Sequence, residues 1–591
     1  MKKYALIRKM VLAAVSLAVF PLNGLAIPAH PGLVPALQPD GSIVNIYLKG
    51  DDFNKSVYSS DGYLLTNDAE GYYVFADCDE KGIPRPTTLR EINPEMRTAA
   101  TKAALLNLNQ KVDAAALREM RKAPQAPKFN GPGLFTTQFP SMGEQPSVVI
   151  LVEFKNNEFT IENPREYFTR MLNEEGFSDY YATGSARDYF VKNSAGLFKP
   201  QFDVFGPVKL SKHMLAYGGN DAGGNDVHPE RMIIEACELI DDEVDFSKYD
   251  RNGDGYIDNV YVFYAGYGEA DGGGANTIWP HSADITKMVS TPYFFDGVGL
   301  DHYACSNELS FHNDGIPDGI GCFCHEFSHV MGLPDLYNTL PLEKPYTPCD
   351  WDILDTGAYH NMSRTPPAYS SFERYALDWL EPVSLSEGMT ELKPLDDTNV
   401  AYIAQTENEN EYYLFENRQQ KGQDSFIPGH GMLVWHIDYN TEVWDSNKVN
   451  CVAAHQYVDL VEADDIRTFE TSDGDSFPGT AGVTSFTKDT TPAFLSWNKK
   501  PLPFGIYDIE ETEDGVVRFN VKTENASVKT VNAGGLISLR GNCVTSLAGA
   551  VAIYDLKGNM IEKLNGSSSI TLPSGFYIAV AAEKTVKFVI P

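Results

Sequence analysis

The spacing of apolar residues changes several times along the chain, and each change predicts a different kind of element. Up to about residue 95, runs such as "GSIVNIYLKGDD" and "EGYYVFADCDEKG" alternate apolar and polar positions between Asp-Gly and Glu-Gly turns, which predicts short strands. Residues 96–122 are rich in Ala, Leu, Lys and Arg and favour helix. The Pro/Gly-rich run "APQAPKFNGPG" that follows is typical of a linker. We expect a small α+β domain at residues 27–125 and a linker at residues 126–146.

The pattern becomes that of an α/β domain further along. From "SVVILVEF" onwards, strand-like runs alternate with helical runs such as "PREYFTRMLNEEG", and we place this domain at residues 147–385. Strand signals then dominate, with "EYYLFENRQ" and "GMLVWHIDYN" the strongest, so a β-rich, sandwich-like domain is expected at residues 386–525. Residues 526–591 predict a further small β module. The expected fold is therefore multidomain, with the α/β domain at its centre.

The first residues have the pattern of an export signal. A basic start, "MKKYALIRKM", precedes an apolar run, "VLAAVSLAVFPL", that is short for a membrane span, and "GLA" comes before Ile27. We predict a signal peptide at residues 1–26, cleavage after Ala26, and a protein that is secreted or held at the cell surface. No later apolar run is long enough to cross a bilayer, so no integral membrane span is expected.

Composition narrows the range of partners. Asp and Glu outnumber Lys and Arg by 81 to 47, which gives a formal net charge of −34, whereas phosphate binding needs a basic face. Nucleic acid is therefore excluded as an expected partner. The eight cysteines are scattered along the chain, so burial as thiols is a more natural expectation than a disulfide framework.

The stretch "CHEFSHVMGLPDLYN" carries the candidate chemistry. On a helix, His325 and His329 lie one turn apart on the same face, and their imidazoles can bind one zinc ion. Glu326 lies about 100° round the helix, where it can hold and deprotonate a water at the metal. A catalytic zinc takes three protein ligands, and the chain supplies Asp335 after a Gly- and Pro-containing turn. The alternative is a helix whose histidines are only hydrogen-bonded, but a His-Glu-x-x-His match arises by chance in roughly one such chain in a hundred.

Several stretches together resemble a known family. "HEFSHVMGLPDLYN" is similar to the zinc motif of metzincins whose third ligand is aspartate. With "TGSARDYFVKNSAGLFKPQFDVFGPV" and "PCDWDILDTGAYHN", it resembles the immune inhibitor A-type family of secreted bacterial metallopeptidases. The resemblance covers roughly residues 145–500. It implies a metzincin-like catalytic domain, zinc ligation by His325, His329 and Asp335, Glu326 as general base, and hydrolysis of peptide bonds.

One position departs from that family pattern. Metzincins place a methionine in a turn beneath the zinc, and the resemblance puts Leu354 of "WDILDTGAY" at that position. Leucine and methionine have similar volumes, and such exchanges usually cost less than about 1.5 kcal/mol, so we expect the site to survive. Tyr359, just beyond, could donate a hydrogen bond to the developing oxyanion or simply pack.

A second ion site is suggested by "DRNGDGYID", in which oxygen-bearing side chains alternate and Gly255 permits a sharp turn. The glutamate that would complete an EF-hand loop is missing, because Tyr261 stands in its place. We predict either a looser calcium loop with a structural role or an ordinary Asp/Gly turn. The candidate calcium ligands are Asp250, Asn252, Asp254, the Tyr256 carbonyl and Asp258.

These observations favour a secreted zinc endopeptidase that hydrolyses extracellular proteins and is made as a zymogen. Residues 27–125 would be the propeptide, removed by a cut between Arg121 and Phe135, and a Cys78 thiolate on the zinc, an acidic side chain or steric cover could block the site. The last module, residues 526–591, resembles sorting domains that engage an outer-membrane secretion machinery. The main alternative is a catalytically weak, protease-like surface protein that binds protein or glycan, and a non-proteolytic zinc hydrolase would keep the same ligands.

Overall fold

The structure is a computed structural model of the chain. It describes residues 25–51, 55–112, 139–221, 223–310, 316–340, 346–523, 531–533, 536–540, 542–547, 549–555, 557–573, 575–581 and 584–590. Most of the predicted signal peptide and all of the predicted cleavage segment between Arg121 and Phe135 lie outside these residues. Two compact units are present, the first formed by the residues up to Ser386 with Thr390–Thr484 and Asp508–Phe519, the second by Glu387–Met389, Ser485–Tyr507 and Asn520–Pro591.

An antiparallel sheet of six strands opens the first unit, and the strands are paired in chain order. They are Leu33–Leu37, Ile43–Lys49, Ser56–Ser59, Leu64–Asn67, Tyr73–Cys78 and Pro84–Arg90, followed by the helix Ala99–Leu105. The alternation predicted from the sequence is confirmed, because Val34, Ala36 and Ile46 are buried while their neighbours are exposed or half-buried. We call residues 33–112 the N-terminal module. Its buried residues join one hydrophobic core with those of the next domain.

A mixed six-stranded sheet forms the centre of the first unit. Its strands, in spatial order, are Leu25–Ala26, His281–Asp284, His302–Leu309, Val260–Tyr267, Gly143–Glu153 and Phe198–Lys209. The last four run parallel to one another, whereas His281–Asp284 is antiparallel to its neighbours on both sides. The central run 148–152 is fully buried and entirely apolar, as expected for a parallel strand covered on both faces.

Helices cover both faces of this sheet. Val149 and Leu151 share a core with Gly321–Val330, while Val148 and Ile150 share another with Pro229–Ile240. The remaining helices of this region are Pro164–Asn173, Ala186–Asn193, Leu215–Gly218, Ile285–Met288, His360–Ser363 and Ser371–Ala376, and a hairpin is formed by Tyr293–Phe295 and Val298–Leu300. The α/β character predicted for this part of the chain is confirmed.

The rest of the chain is β-rich, as predicted. A five-stranded sheet comprises Val383–Ser384, Tyr402–Gln405, Glu411–Arg418, Gly431–Asp438 and Val458–Leu460, with short helices at Leu395–Thr398 and Thr441–Asp445. Further strands are Gly388–Leu392, Phe504–Glu511 and Val517–Thr523. The end of the second unit has two four-stranded sheets that share a core. The strands of the first sheet are Val531–Ala533, Ile537–Arg540, Cys543–Ser546 and Ser569–Thr571. The strands of the second sheet are Met560–Asn565, Ala550–Asp555, Gly575–Ala581 and Lys584–Ile590. Within the described ranges, no helix has the length and apolar character that crossing a membrane requires.

Candidate metal centre

The helix Gly321–Val330, which we call the metal helix, carries the predicted motif and is buried along its whole length. Phe323 and Phe327 pack on the central sheet, so the face that bears the histidines is directed away from that sheet. Gly321 is required at the start of the helix, because a Cβ there would lie 1.9 Å from the carbonyl oxygen of Ala358. The helix is therefore held tightly against the loop that contains Ala358.

Two backbone carbonyls fix the orientation of the histidines. His325 Nδ1 lies 2.7 Å from the carbonyl oxygen of Ile353, and His329 Nδ1 lies 2.8 Å from that of Leu333. Because a carbonyl oxygen only accepts, each Nδ1 must carry the hydrogen, and each Nε2 is left with a lone pair. The two Nε2 atoms are 3.2 Å apart and point at the same place.

Asp335 brings a third lone-pair atom to this place. The chain turns back after the metal helix at Gly332, which has a φ of +100°. Asp335 Oδ1 then lies 3.1 Å from His329 Nε2 and 3.4 Å from His325 Nε2. Among the residues that the structure describes, these three form the one cluster of His, Cys, Asp or Glu side chains arranged to hold a metal ion.

Chemistry supports a cation at this cluster. Three acceptor atoms face one another with no hydrogen between them, and Asp335 Oδ1 accepts no hydrogen bond from any described group. Burial acts to raise the pKa of Asp335, but the two histidines lower it to about 2 through the positive charge that they carry when protonated, so Asp335 is a carboxylate. A bound metal ion would supply that positive charge when the imidazoles are neutral. Burial also lowers the pKa of His325, which favours its neutral, metal-binding form. The residues present therefore fit a zinc ion.

Asn447 supports Asp335 from the β-rich part of the first unit. Its side-chain nitrogen donates to Asp335 Oδ2 at 2.6 Å, and its side-chain oxygen accepts from the Asp335 N–H at 3.2 Å. This pair of bonds orients the carboxylate so that Oδ1 faces the histidines. Sequence reasoning missed Asn447, because a single asparagine 112 residues away has no local signature.

Glu326 lies beside the cluster and is completely buried. Its Oε1 accepts the backbone N–H of Ile27 at 2.8 Å, and its Oε2 has no hydrogen-bond donor among the described residues. Burial raises the pKa of this carboxyl well above its ordinary value in the absence of a metal, and the nearby charge of Asp335 adds to the effect. Glu326 is thus a desolvated carboxyl next to the two histidines, and its role as general base stays a prediction.

Residues 352–359, which we call the supporting loop, pass beneath the histidines. The carbonyl of Ile353 orients His325, and the carbonyl of Leu354 accepts the N–H of Leu336, the neighbour of Asp335. The Leu354 side chain is fully buried. The loop therefore supports two of the three ligands through its backbone, with leucine as a packing residue.

A short piece of the chain lies in the cleft in front of this cluster. We call residues 25–30 the inserted segment. Leu25–Ala26 pairs antiparallel with the edge strand His281–Asp284. Beyond this pairing, the cleft donates three hydrogen bonds to consecutive carbonyls: Tyr337 hydroxyl to Ala26 at 2.5 Å, Trp279 indole to Ile27 at 2.8 Å, and Tyr359 hydroxyl to Pro28 at 2.7 Å. The segment is bound as an extended peptide along the cleft.

The N-terminal module is attached to the cleft by buried polar contacts. Lys55 Nζ lies 2.6 Å from Glu269 Oε2 with both side chains buried, and 3.0 Å from Asn220 Oδ1. Asp51 Oδ2 lies 2.9 Å from the Tyr337 hydroxyl. Close backbone approach adds to this, since a Cβ on Gly71 would lie 2.6 Å from the Asn276 side chain. Charged groups buried this deeply are stable only while they are paired.

Cys78 is placed away from the metal cluster. Its side chain packs with Leu64 and Ala76 in a small hydrophobic cluster inside the N-terminal module, and its strand pairs with Pro84–Arg90. None of the eight cysteines forms a disulfide. The residue that contacts Glu326 is Ile27 rather than a cysteine.

The predicted calcium loop forms a tight turn. Both Asp250 oxygens accept backbone N–H groups, those of Gly253 and Asp254 on Oδ1 and that of Gly255 on Oδ2. Asp258 is buried, and its Oδ1 has no hydrogen-bond donor among the described groups. Burial raises the pKa of Asp258 to about 7, with further contributions from the charges of Asp250 and Asp254. These carboxylates do not form a closed cluster like that of the histidines, so calcium binding at Asp250, Asn252, Asp254, Tyr256 and Asp258 stays a prediction.

Part of the chain is similar to known proteins. Residues 150–382 match the family described as immune inhibitor A peptidase M6, catalytic domain. The pre-pro-metalloprotease PrtV of Vibrio cholerae serotype O1 (strain M66-2) is 26% identical over 264 residues, which cover 39% of this chain and 28% of PrtV. Immune inhibitor A of Bacillus thuringiensis subsp. alesti is 26% identical over 268 residues, which cover 38% of each protein. The chain therefore spans well under half the length of these relatives.

The matched region includes the metal helix, Asp335 and the supporting loop, but neither Asn447 nor the inserted segment. The resemblance deduced from the motifs is thus confirmed over the part of the chain that contains the metal cluster. Residues 150–382 are therefore similar to the catalytic domain of the immune inhibitor A peptidase M6 family, and the relatives that match are metalloproteases.

Proposed function

We propose that this chain is a secreted, zinc-dependent endopeptidase that is made as an inactive precursor and acts on extracellular proteins. The observation that supports this most directly is the packing of His325 Nε2, His329 Nε2 and Asp335 Oδ1 within 3.1–3.4 Å of one another. The buried carboxyl of Glu326 beside them supplies the group that a hydrolase needs and that a purely structural metal site does not.

Each site residue has a role in this proposal. When bound, zinc would polarise the scissile carbonyl and bring the pKa of a water to about 7. Glu326 accepts a proton from the attacking water and returns it to the amine nitrogen that leaves. The 2.8 Å contact between Glu326 Oε1 and the Ile27 N–H supports the second part of this role, because it brings the carboxyl to a peptide nitrogen.

Latency is the second part of the proposal. Residues 27–30 of the inserted segment occupy the cleft, where Trp279 and Tyr359 hold the carbonyls of Ile27 and Pro28, and the N-terminal module is attached beside them through Lys55 and Asp51. A substrate cannot enter while this peptide is bound, so residues 27–125 would act as a propeptide through steric cover. One relative is named a pre-pro-metalloprotease, which fits a protein made as a precursor.

The predicted export cleavage has a direct consequence for this latency. Cleavage after Ala26 would turn the Ile27 nitrogen, now 2.8 Å from Glu326 Oε1, into an α-amino group. Such a group has a pKa of about 8 and is largely protonated near neutral pH. The α-ammonium would pair with Glu326 and prevent it from accepting a proton from water. The N-terminus produced by export would then itself hold the enzyme inactive.

The proposals about export and secretion come from the sequence. The signal peptide at residues 1–26 and the secretion-machinery contact of residues 526–591 are proposals of this kind. The structure adds that residues 536–590, where described, form a compact two-sheet core. Calcium, if bound, would have a structural role at the loop that contains Asp258.

Digestion of casein or gelatin by the purified full chain tests the proposed function. We expect little digestion before limited trypsin treatment, strong digestion after it, complete loss with a zinc chelator and recovery when zinc is restored. Activity that survives chelation would contradict a zinc enzyme. Full activity before trypsin, with no gain afterwards, would contradict the precursor.

A further inference from the structure

The peptide group between Ala26 and Ile27 is held at both ends by the cleft. Its N–H donates to Glu326 Oε1 at 2.8 Å, and its carbonyl oxygen lies 2.5 Å from the Tyr337 hydroxyl. These two atoms belong to one peptide bond. The group that lies against Glu326 is therefore the same group that lies against Tyr337.

This contact identifies the position of the bond to be cut, given the function proposed above. A general base that returns its proton to the leaving amine must reach the nitrogen of the scissile bond. Glu326 reaches the nitrogen of Ile27, so the Ala26–Ile27 peptide group lies in the scissile register. The donor on the carbonyl oxygen of that group is then placed where negative charge develops during hydrolysis.

We propose that Tyr337 is a catalytic residue that donates a hydrogen bond to the oxyanion formed at the scissile carbonyl. Its side chain is buried and lies two residues after Asp335, so the same turn that positions the metal ligand positions the hydroxyl. Preorganised donors of this kind contribute most in a buried site, because water does not compete with them there.

Tyr359, which the sequence suggested for this role, has a different place. Its hydroxyl donates to the carbonyl of Pro28, two carbonyls beyond that of Ala26, and the Trp279 indole holds the carbonyl between them. Trp279 and Tyr359 are therefore assigned to binding the substrate backbone on the side of the new amine terminus. The three donors together form hydrogen bonds to three consecutive carbonyls of an extended peptide.

The N-terminal module also contacts the Tyr337 hydroxyl. Asp51 Oδ2 lies 2.9 Å from it, and a phenol has one hydrogen to donate. While the module is attached, Asp51 competes with a peptide carbonyl for that hydrogen. Removal of the module would leave the hydroxyl available for the substrate.

The chemical step balances without any further reactant. The water oxygen bonds to the carbonyl carbon, and the C=O electron pair moves to the oxygen that Tyr337 faces. The water proton passes to Glu326. The C–N bond then breaks, its pair remains on nitrogen, and Glu326 returns the proton to give an amine and a carboxylic acid. The acid proton then passes to the amine, so the final products are an ammonium and a carboxylate. Tyr337 keeps its proton throughout and strengthens its hydrogen bond as charge develops.

The test uses the zinc-loaded full chain after limited trypsin treatment and a short peptide substrate. We expect Tyr337→Phe to lower kcat about 10²-fold or more with little change in KM, as for loss of an oxyanion donor. Zinc content should stay at the wild-type value. A phosphinic peptide, which mimics the tetrahedral oxyanion, should bind less tightly by a comparable factor, whereas a product peptide should bind as before.

Two matched variants complete the design. Tyr359→Phe should mainly raise KM, because its hydroxyl binds the substrate backbone in both states. Tyr217→Phe, which removes a buried hydroxyl that bonds Glu235 elsewhere in the domain, should behave as wild type. Wild-type kcat in Tyr337→Phe, loss of its zinc, or unchanged phosphinic-peptide affinity would overturn the proposal. Failure of the proposed function itself would be distinct, because the wild-type enzyme would then cut no peptide.

Discussion

At the scale of single residues, the metal cluster depends on groups that hold its ligands as much as on the ligands. The carbonyls of Ile353 and Leu333 set the imidazole tautomers, and Asn447 sets the carboxylate of Asp335. Such supporting groups typically change metal affinity by about 10–100-fold when they are removed. The cluster is therefore a preorganised site, in which three acceptors are held close together before any cation arrives.

Two substitutions distinguish the metal ligand Asp335 from Asn447, the residue that orients it. Asp335→Ala should abolish stoichiometric zinc, because two protein ligands remain and a compensating negative charge is lost. Asn447→Ala should keep zinc but weaken it by about 10–100-fold. Zinc titration of the apo chain measures both, and Asn559→Ala, at an exposed turn of the second unit, is the control. Unchanged zinc content in Asp335→Ala would place the third ligand elsewhere.

The site residues that could be predicted from sequence are those that lie close to one another along the chain. His325 and His329 are one helical turn apart, and Asp335 follows after a turn that Gly332 permits, so spacing alone brings them together. Asn447 and Tyr337 could not be assigned in the same way. One is joined to the site only by the fold, and the other acquires its role only through the peptide that it contacts.

At the scale of elements, long segments with regular periodicity could be predicted from the sequence, whereas a short strand pairing could not. The strands Glu411–Arg418 and Gly431–Asp438 and the metal helix have long, clear patterns and lie where the sequence predicts them. Leu25–Ala26 has only two residues and lies in a stretch that the sequence assigns to an export cleavage site. Its pairing with His281–Asp284 is long-range, so no local pattern could indicate it.

Calcium binding is a prediction that belongs to one element, the loop of residues 250–258. A cation there would neutralise Asp250, Asp254 and the buried Asp258, whose mutual repulsion the metal-free loop has to bear. We expect calcium to raise the melting temperature of chelator-treated protein. At a calcium concentration a hundredfold above Kd, binding to the folded state adds about 2.7 kcal/mol to the free energy of unfolding. Asp258→Asn should lose most of this gain. A melting temperature that does not change with calcium would contradict the calcium site and support the alternative of an ordinary Asp/Gly turn.

At the scale of the whole molecule, the first unit contains both the cleft and the peptide that fills it. The N-terminal module shares a hydrophobic core with the catalytic region, and a buried Lys55–Glu269 ion pair joins them. The change from an α/β pattern to a β-rich pattern along the chain was predictable from changes in periodicity. The attachment was not, because a lysine and a glutamate 214 residues apart show no relation until the fold brings them together.

The ion pair makes latency adjustable by a single substitution. Lys55→Met leaves Glu269 buried without its cation, and breaking a buried pair in this way costs about 3–5 kcal/mol. The cost falls on the state in which the module is attached, so we expect higher activity before any cleavage of the linker. Lys81→Met, in an exposed turn of the same module, is the matched control. Equal latency in both variants, measured with a peptide substrate, would show that Lys55 does not hold the module in place.

The most direct test of the central claim, a zinc peptidase that uses Glu326 as its base, is one comparison of Glu326→Ala with wild type. Zinc content and cleavage of a peptide substrate are measured on the same trypsin-treated samples. The account predicts one zinc per chain in both proteins and a loss of turnover of about 10²–10⁴-fold or more in the variant. A variant that retains zinc and cleaves at the wild-type rate would contradict the account.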